Sequence, residues 1–150
     1  MHYRLATIDD LPILIDLRKK LLIEEGQTMA ASIDQALENY FRNQLTSNNY
    51  VQWLVEQDEQ IVATGAIQYI PFPPSYFNPT GLRGYIANMY TIPEARNQGI
   101  AKQLVNRLLA DAQQRNVRHS FLIASEMGKP LYKKIGFNEN DIYMEYILPE

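Results

Sequence analysis

The stretch NMYTIPEARNQGIAKQL, Asn88 to Leu104, reads as a β-strand that stops at a proline, crosses a short polar turn and enters a helix through Gly99. At a helix N-terminus the first backbone N–H groups lack intrahelical partners, and with the helix dipole they form an anion site. Gly99 has no side chain and Ala101 only a methyl, so a bulky anion such as a pyrophosphate can approach the backbone closely. The turn Arg96-Asn97-Gln98-Gly99-Ile100-Ala101 suits that purpose; the plain alternative is a helix start that happens to contain glycine. Two other phosphate-binding patterns are missing. There is no Gly-Lys-Ser/Thr of a Walker A loop, and no three-glycine dinucleotide fingerprint after a first strand.

Outward from this stretch, the chain alternates helical and extended signals. Tyr3 to Ala6 reads as a short strand, and Thr7 as the N-cap of a helix with Asp9 and Asp10 in its first turn. Leu11, Leu14, Ile15, Leu17, Leu21 and Leu22 give that helix an apolar stripe ending near Gly26. A second helix is expected from Ser32, its cap, to about Leu45, with Ile33, Leu37, Tyr40, Phe41 and Leu45 on one side. Tyr50 to Gln57 and Gln60 to Ile70 read as an antiparallel hairpin turning at Asp58 and Glu59. Pro71 to Gly81 holds four prolines and reads as an ordered loop with exposed aromatics. Gly84 to Ile92 is a fourth strand, Gln98 to Asn116 a helix, and Phe121 to Ala124 a short apolar fifth strand. Lys129 to Ile135 is a short helix stopping at Gly136, and Ile142 to Leu148 alternates as a last strand. This is a mixed α/β order in one domain, 1–150, with no internal repeat.

Composition narrows the chemistry. At 150 residues, 46% of them hydrophobic, the chain is long enough to bury a core without disulfides or a structural metal. It contains no cysteine, which removes thiolate metal sites and thiol nucleophiles. The two histidines, His2 and His119, are far apart, so neither a metal site nor a Ser-His-Asp triad is expected. A net charge of -3 argues against nonspecific nucleic-acid binding. No apolar run approaches a membrane span, and the charged start MHYRLATIDD does not read as a signal peptide, so a cytoplasmic location is expected.

Arg-x-x-Gly-x-Ala after strand-Pro, then an amphipathic helix, a short apolar strand and LYKKIGF from Leu131 to Phe137, resembles the GNAT superfamily of acyl-CoA-dependent N-acetyltransferases. The motifs span about Tyr85 to Phe137, and the element order across the chain also fits. The resemblance implies a central, mostly antiparallel twisted sheet of six to seven strands flanked by about four helices, with acetyl-CoA as cofactor. It places the coenzyme pyrophosphate on the turn amides from Asn97 through Gln98, Gly99, Ile100 and Ala101 to Lys102. It pairs the pantetheine arm with the strand Met89, Tyr90 and Thr91, where a strand amide near Tyr90 would stabilise charge developing on the thioester carbonyl. Ser125 matches a polar contact to the cofactor, and Tyr132 matches the tyrosine near the sulfur. With a pKa of roughly 10, Tyr132 serves better as a hydrogen-bond donor than as a committed proton source. Arg96 either faces a phosphate or caps the loop.

Some members of the superfamily carry a Glu on the fourth strand as general base, whereas Tyr85-Ile86-Ala87-Asn88-Met89 has no carboxylate; a water chain is expected instead. Glu24, Glu25, Asn88 and Glu126 are the candidate acceptor-site residues, the carboxylates among them being equally readable as solvated surface charges. The activity so implied is acetyl transfer to a primary amine of a small molecule or peptide, by direct attack in a ternary complex without metal. A noncatalytic acyl-CoA-binding or regulatory module is the alternative. A nucleic-acid adaptor would rest only on Arg115, Arg118 and His119 at a helix C-terminus, where cations are ordinary. The Pro71 to Gly81 loop and the last strand are candidate contacts for a homodimer.

Overall fold

Thr7 and Asp10 cap each other, the Thr7 N–H donating to the Asp10 carboxylate at 2.7 Å, and so close a single 3-10 turn over Ile8–Asp10. In the computed structural model, which describes residues 1–150, this turn separates strand β1 (His2–Leu5) from helix α1 (Leu11–Glu24). Arg4 fixes the corner: its guanidinium binds Asp10 at 2.8 and 2.9 Å and Glu56 at 2.7 Å, holding both carboxyls below their usual range. Helix α2 (Asp34–Leu45) begins two residues after Ser32, whose hydroxyl accepts the Asp34 N–H at 3.4 Å.

Strands β2 (Tyr50–Gln57) and β3 (Gln60–Pro71) form the expected hairpin, and both turn residues, Asp58 and Glu59, have positive φ. That is the two-residue turn whose twist matches antiparallel strands. Strand β4 (Leu82–Thr91) follows the proline loop, then come helix α3 (Ile100–Gln114), strand β5 (His119–Leu122) and helix α4 (Lys129–Ile135). Helix α3 starts later than expected because Asn97 and Gly99 both take left-handed φ, 62° and 78°, which no helix interior accommodates.

The sheet order is β1-β2-β3-β4-β5, antiparallel except for the parallel β4–β5 pair. Four helices flank it, as expected, but it has five strands of mixed orientation rather than six to seven. The expected last strand, Ile142 to Leu148, forms no ladder: Ile142, Met144, Tyr146 and Leu148 are exposed, and so are Tyr143 and Ile147. A period of two marks a segment able to be a strand, yet only a partner edge makes it one. Strand β5 likewise lies two residues earlier than expected. Its ladder runs from Arg83↔His119 to Ile86↔Leu122, and beyond that point β4 and β5 separate, leaving Ile123 and Ala124 without a partner.

Each face of the sheet has its own core. Leu54 and Tyr90 pack against Leu11, Leu14 and Leu17 of α1 and Phe41 of α2. On the other face Ile67 and Ile86 meet Val105, Leu108 and Ala112 of α3, while Ala63 meets Ile100 and Leu104. Phe41 is fully buried at the junction of α1, α2 and β2. Phe41→Ala is therefore expected to lower stability by about 3–5 kcal/mol, read from chemical denaturation with an unchanged m-value.

Strand β4 carries one irregularity near its end. Thr64 pairs with Tyr90 and Ala66 with Ala87, so Asn88 and Met89 together oppose only Gly65. Asn88 sits at φ 56°, the mark of a bulge. A Cβ at Gly65 would come within 2.5 Å of the Met89 sulfur, so any side chain there would push the Met89 thioether aside.

Candidate active site

The separation of β4 from β5 past Ile86 opens a cavity of about 780 Å³ between the end of β4, the N-terminus of α3, the end of α1 and the start of α4. It is walled by Met89, Tyr90 and Thr91 on one side and by Ser125, Met127, Gly128, Leu131 and Tyr132 on the other. Its floor is the turn Arg96, Asn97, Gly99 to Lys102, and its rim holds Leu21, Glu24 and Glu25. Residues from distant parts of the sequence are thus brought together.

The helix start meets the requirements of an anion site. The first intrahelical bond runs from the Gln103 N–H to the Gly99 carbonyl at 3.1 Å, and the N–H groups of Ile100, Ala101 and Lys102 have no acceptor in the protein. Nothing lies within 4 Å of where a Gly99 Cβ would stand, so the approach to these amides is open. The Ile100 side chain is buried in the core and offers only its amide, and Gln98 lies outside the cavity wall. The donors, the open glycine and the cavity fit an extended ligand with an anionic end.

The exposed edge of β4 follows from the pairing. The Ile92 N–H donates to Val62 at 2.9 Å, and residues two apart in a strand point the same way, so the Tyr90 N–H turns to β3. Met89 and Thr91 present their backbone groups to the gap instead, and the Thr91 carbonyl indeed accepts from Arg96 Nε at 3.0 Å. The amide free to act near Tyr90 is therefore that of Met89. The Tyr90 side chain is buried on the α1/α2 face, with Arg96 5.8 Å from its ring centroid.

Most of the other candidates are already engaged, Glu25 and Tyr132 excepted. Arg96 also forms a short ion pair with Glu24, joining the α3 turn to the end of α1 across 72 residues of sequence. Glu24 is thus largely neutralised, and Glu25 is the carboxylate left free at the rim. Glu126 is exposed, pairs with Lys129 at 2.9 Å and is absent from the cavity wall. The Ser125 hydroxyl accepts the Gly128 N–H at 3.2 Å, capping the entry to α4 while lining the cavity. Tyr132 has no hydrogen-bond partner for its hydroxyl; burial raises its pKa, so the phenol keeps its proton at neutral pH. Asn88 turns away from the gap and donates to the Tyr50 hydroxyl at 3.2 Å. That hydroxyl donates to Gln52 at 2.7 Å, and Gln52 to Thr64 at 2.8 Å, forming a buried polar string under α1 and α2.

Sequence reasoning overlooked Leu21, Ala95, Met127, Gly128 and Leu131. The last three begin LYKKIGF or lie within four residues before it, and a Cβ at Gly128 would press on the Tyr132 ring at 2.9 Å. No helix is long and apolar enough to cross a membrane.

The chain matches the acetyltransferase (GNAT) family over residues 18–137. Among solved structures it resembles a predicted acetyltransferase from Clostridium acetobutylicum with acetyl-CoA, at 44% identity and a TM-score of 0.94, over 97% of this chain and 95% of that one. A GCN5-related N-acetyltransferase from Ralstonia eutropha is 29% identical with a TM-score of 0.89, over 97% of both chains. Glucosamine-6-phosphate N-acetyltransferase from Arabidopsis thaliana, 19% identical over 99% of this chain and 98% of that one, shares the fold with a TM-score of 0.77. No curated protein sequence matches. The phosphate-suited turn, the split between β4 and β5 and these likenesses lead to one conclusion: the chain belongs to the GNAT family of acetyltransferases.

Proposed function

We propose that this protein transfers an acetyl group from acetyl-CoA to a primary amine of a small molecule or peptide, by direct attack in a ternary complex. The observation that carries the reading is the open edge of β4 at Met89 and Thr91, which ends beside three unpaired amides at the start of α3. An extended chain can add to that edge as a strand would, while its anionic end rests on the amides of Ile100, Ala101 and Lys102. Asn97 and Gly99 shape the turn, and Ser125 closes the opposite wall.

When bound, acetyl-CoA supplies an acyl group activated as a thioester. The Met89 N–H is a fixed donor directed into the gap, and such a donor contributes most where negative charge develops. Tyr132 lines the cavity, and its hydroxyl, protonated and without a partner in the protein, can serve as a second donor. No carboxylate stands on β4, and burial raises the Tyr40 and Tyr50 phenols, so neither is a base at neutral pH. The proton leaving the amine therefore passes to water at the rim, where Glu25 attracts the cationic form of the acceptor.

Thiol release from acetyl-CoA with a panel of amines tests this directly. Turnover with an active amine is expected to rise with pH as the bound amine loses its proton. Because burial raises the Tyr132 pKa above its ordinary value near 10, no alkaline fall from Tyr132 is expected below about pH 10. Coenzyme binding without acetylation of any amine would leave only a noncatalytic binding module.

A further inference from the structure

We propose that the acceptor amine carries an anionic group, a carboxylate or a phosphate, and that Arg18 of α1 binds it. This substrate class rests on the acetyl-transfer reading of the same site.

Arg18 stands apart among the eight arginines of the chain. Arg4, Arg42, Arg96 and Arg115 are bound to carboxylates. Arg83, Arg107 and Arg118 lie over aromatic rings at 4.1 to 5.3 Å. Arg18 alone has neither, and it makes no hydrogen bond to the protein although it is half-buried. Its neighbours on the helix are satisfied: Lys19 binds Asp34 at 2.9 Å and Lys20 binds Asp16 at 2.8 Å. A guanidinium carries five N–H donors in a fork that matches two oxygens of a carboxylate or phosphate.

Arg18 forms no ion pair, the nearby carboxylates Asp16 and Asp34 being bound by Lys20 and Lys19. It lies near the phenols of Tyr40 on α2 and Tyr50 on β2, opposing the effect of burial on both, and these phenols stay neutral. Asn88 completes the patch through its bond to Tyr50. A cation beside neutral hydroxyls and an amide favours an anion that also accepts hydrogen bonds.

Arg18, Tyr40, Tyr50 and Asn88 are not themselves in the cavity wall, but the patch is next to residues that are. Leu21, one helical turn beyond Arg18 on the same side of α1, is part of the cavity rim, and Asn88 directly precedes Met89 in its wall. The anion turn at Gly99 lies at the other end of the cavity, beyond Thr91, so Arg18 is placed for the acceptor rather than for the coenzyme phosphates. A guanidinium there also disfavours the protonated amine, opposing the effect of Glu25 on its pKa.

The test compares parent, Arg18→Gln and Arg18→Lys with four amines: β-alanine, O-phosphoethanolamine, ethanolamine and putrescine. At least one anionic amine is expected to exceed ethanolamine in kcat/KM, and the pair distinguishes carboxylate from phosphate. Arg18→Gln is expected to raise the KM of that amine about tenfold relative to its effect on ethanolamine, with the acetyl-CoA KM within about twofold. Arg18→Lys should recover part of the loss. A second readout needs no turnover: NMR titration of coenzyme A-loaded protein with propionate and with ethyl phosphate, one of which should bind about tenfold more weakly to Arg18→Gln. Preference for ethanolamine or putrescine, or an equal effect of Arg18→Gln on all four amines, overturns the proposal while leaving acetyl transfer standing. Arg18-dependent anion binding without acetylation of any amine overturns the transfer reading and leaves the anion site. Titrations identical in parent and Arg18→Gln overturn the site itself.

Discussion

Gly99→Glu is expected to weaken coenzyme A binding by more than about 100-fold while leaving the protein folded. The side chain would enter the space in front of the Ile100, Ala101 and Lys102 amides, adding bulk and a negative charge where an anion should rest. Hydrogen bonds to a charged partner contribute about 1.5–3 kcal/mol each, so losing two accounts for that factor. The fold should survive, since nothing in the protein lies within 4 Å of a Cβ at this position. The remaining cost is the left-handed backbone at φ 78°, roughly 1–2 kcal/mol for a residue with a side chain. Gly99→Asn is the control, because asparagine tolerates this conformation and Asn97 already adopts it two residues earlier. Calorimetric titration of both variants, with thermal unfolding beside it, separates the two effects. Gly99→Glu protein that is folded and binds coenzyme A as the parent does would show that the turn is an ordinary helix start.

Tyr132→Phe is expected to lower turnover by about 10²- to 10³-fold, the range for losing one positioned hydrogen-bond donor to developing charge, while the KM for acetyl-CoA stays within about twofold. The ring packs edge-on to Phe137, with centroids 5.9 Å apart, and closes over Gly128; phenylalanine preserves both contacts. Only the unpartnered hydroxyl is removed, so stability should hardly change. Single-turnover measurement, in which product release cannot mask the chemical step, checks this. A parent-like rate would make Tyr132 a wall residue.

The parts of the fold legible in the sequence are those with local causes. Strand β2 and helix α4 fall on the expected residues because turn chemistry fixes their ends: Asp58 and Glu59 after β2, Gly136 after α4. The mismatches arise where a distant partner decides. Whether His119 and Ser120 belong to β5 depends on Arg83 and Gly84 of β4, and whether Ile142 to Leu148 pairs depends on an edge no local pattern reveals. The candidate site shows the same division. The turn around Gly99 and the LYKKIGF helix can be read from adjacent residues. The pairing of Arg96 with Glu24, and the solitude of Arg18 beside two satisfied lysines, need the neighbours supplied by folding.

The extra residue in β4 has a further meaning, as a matter of parity. Side chains along a strand alternate between two faces, so a count that is odd at one place reverses every assignment beyond it. The bulge at Asn88 and Met89 lets Ile86 reach α3 and Tyr90 reach α1 and α2 within one continuous strand. Deleting one residue between Ala87 and Tyr90 would remove the bulge and leave a single residue opposite Gly65, so Ile86 and Tyr90 would keep their opposite faces while the backbone that Met89 turns toward the gap would be lost. Substitutions here can be graded, each repaired by small shifts of its neighbours. A change of length instead keeps or loses the bulge as a whole, and with it the aim of the Met89 amide, whichever residues occupy the segment.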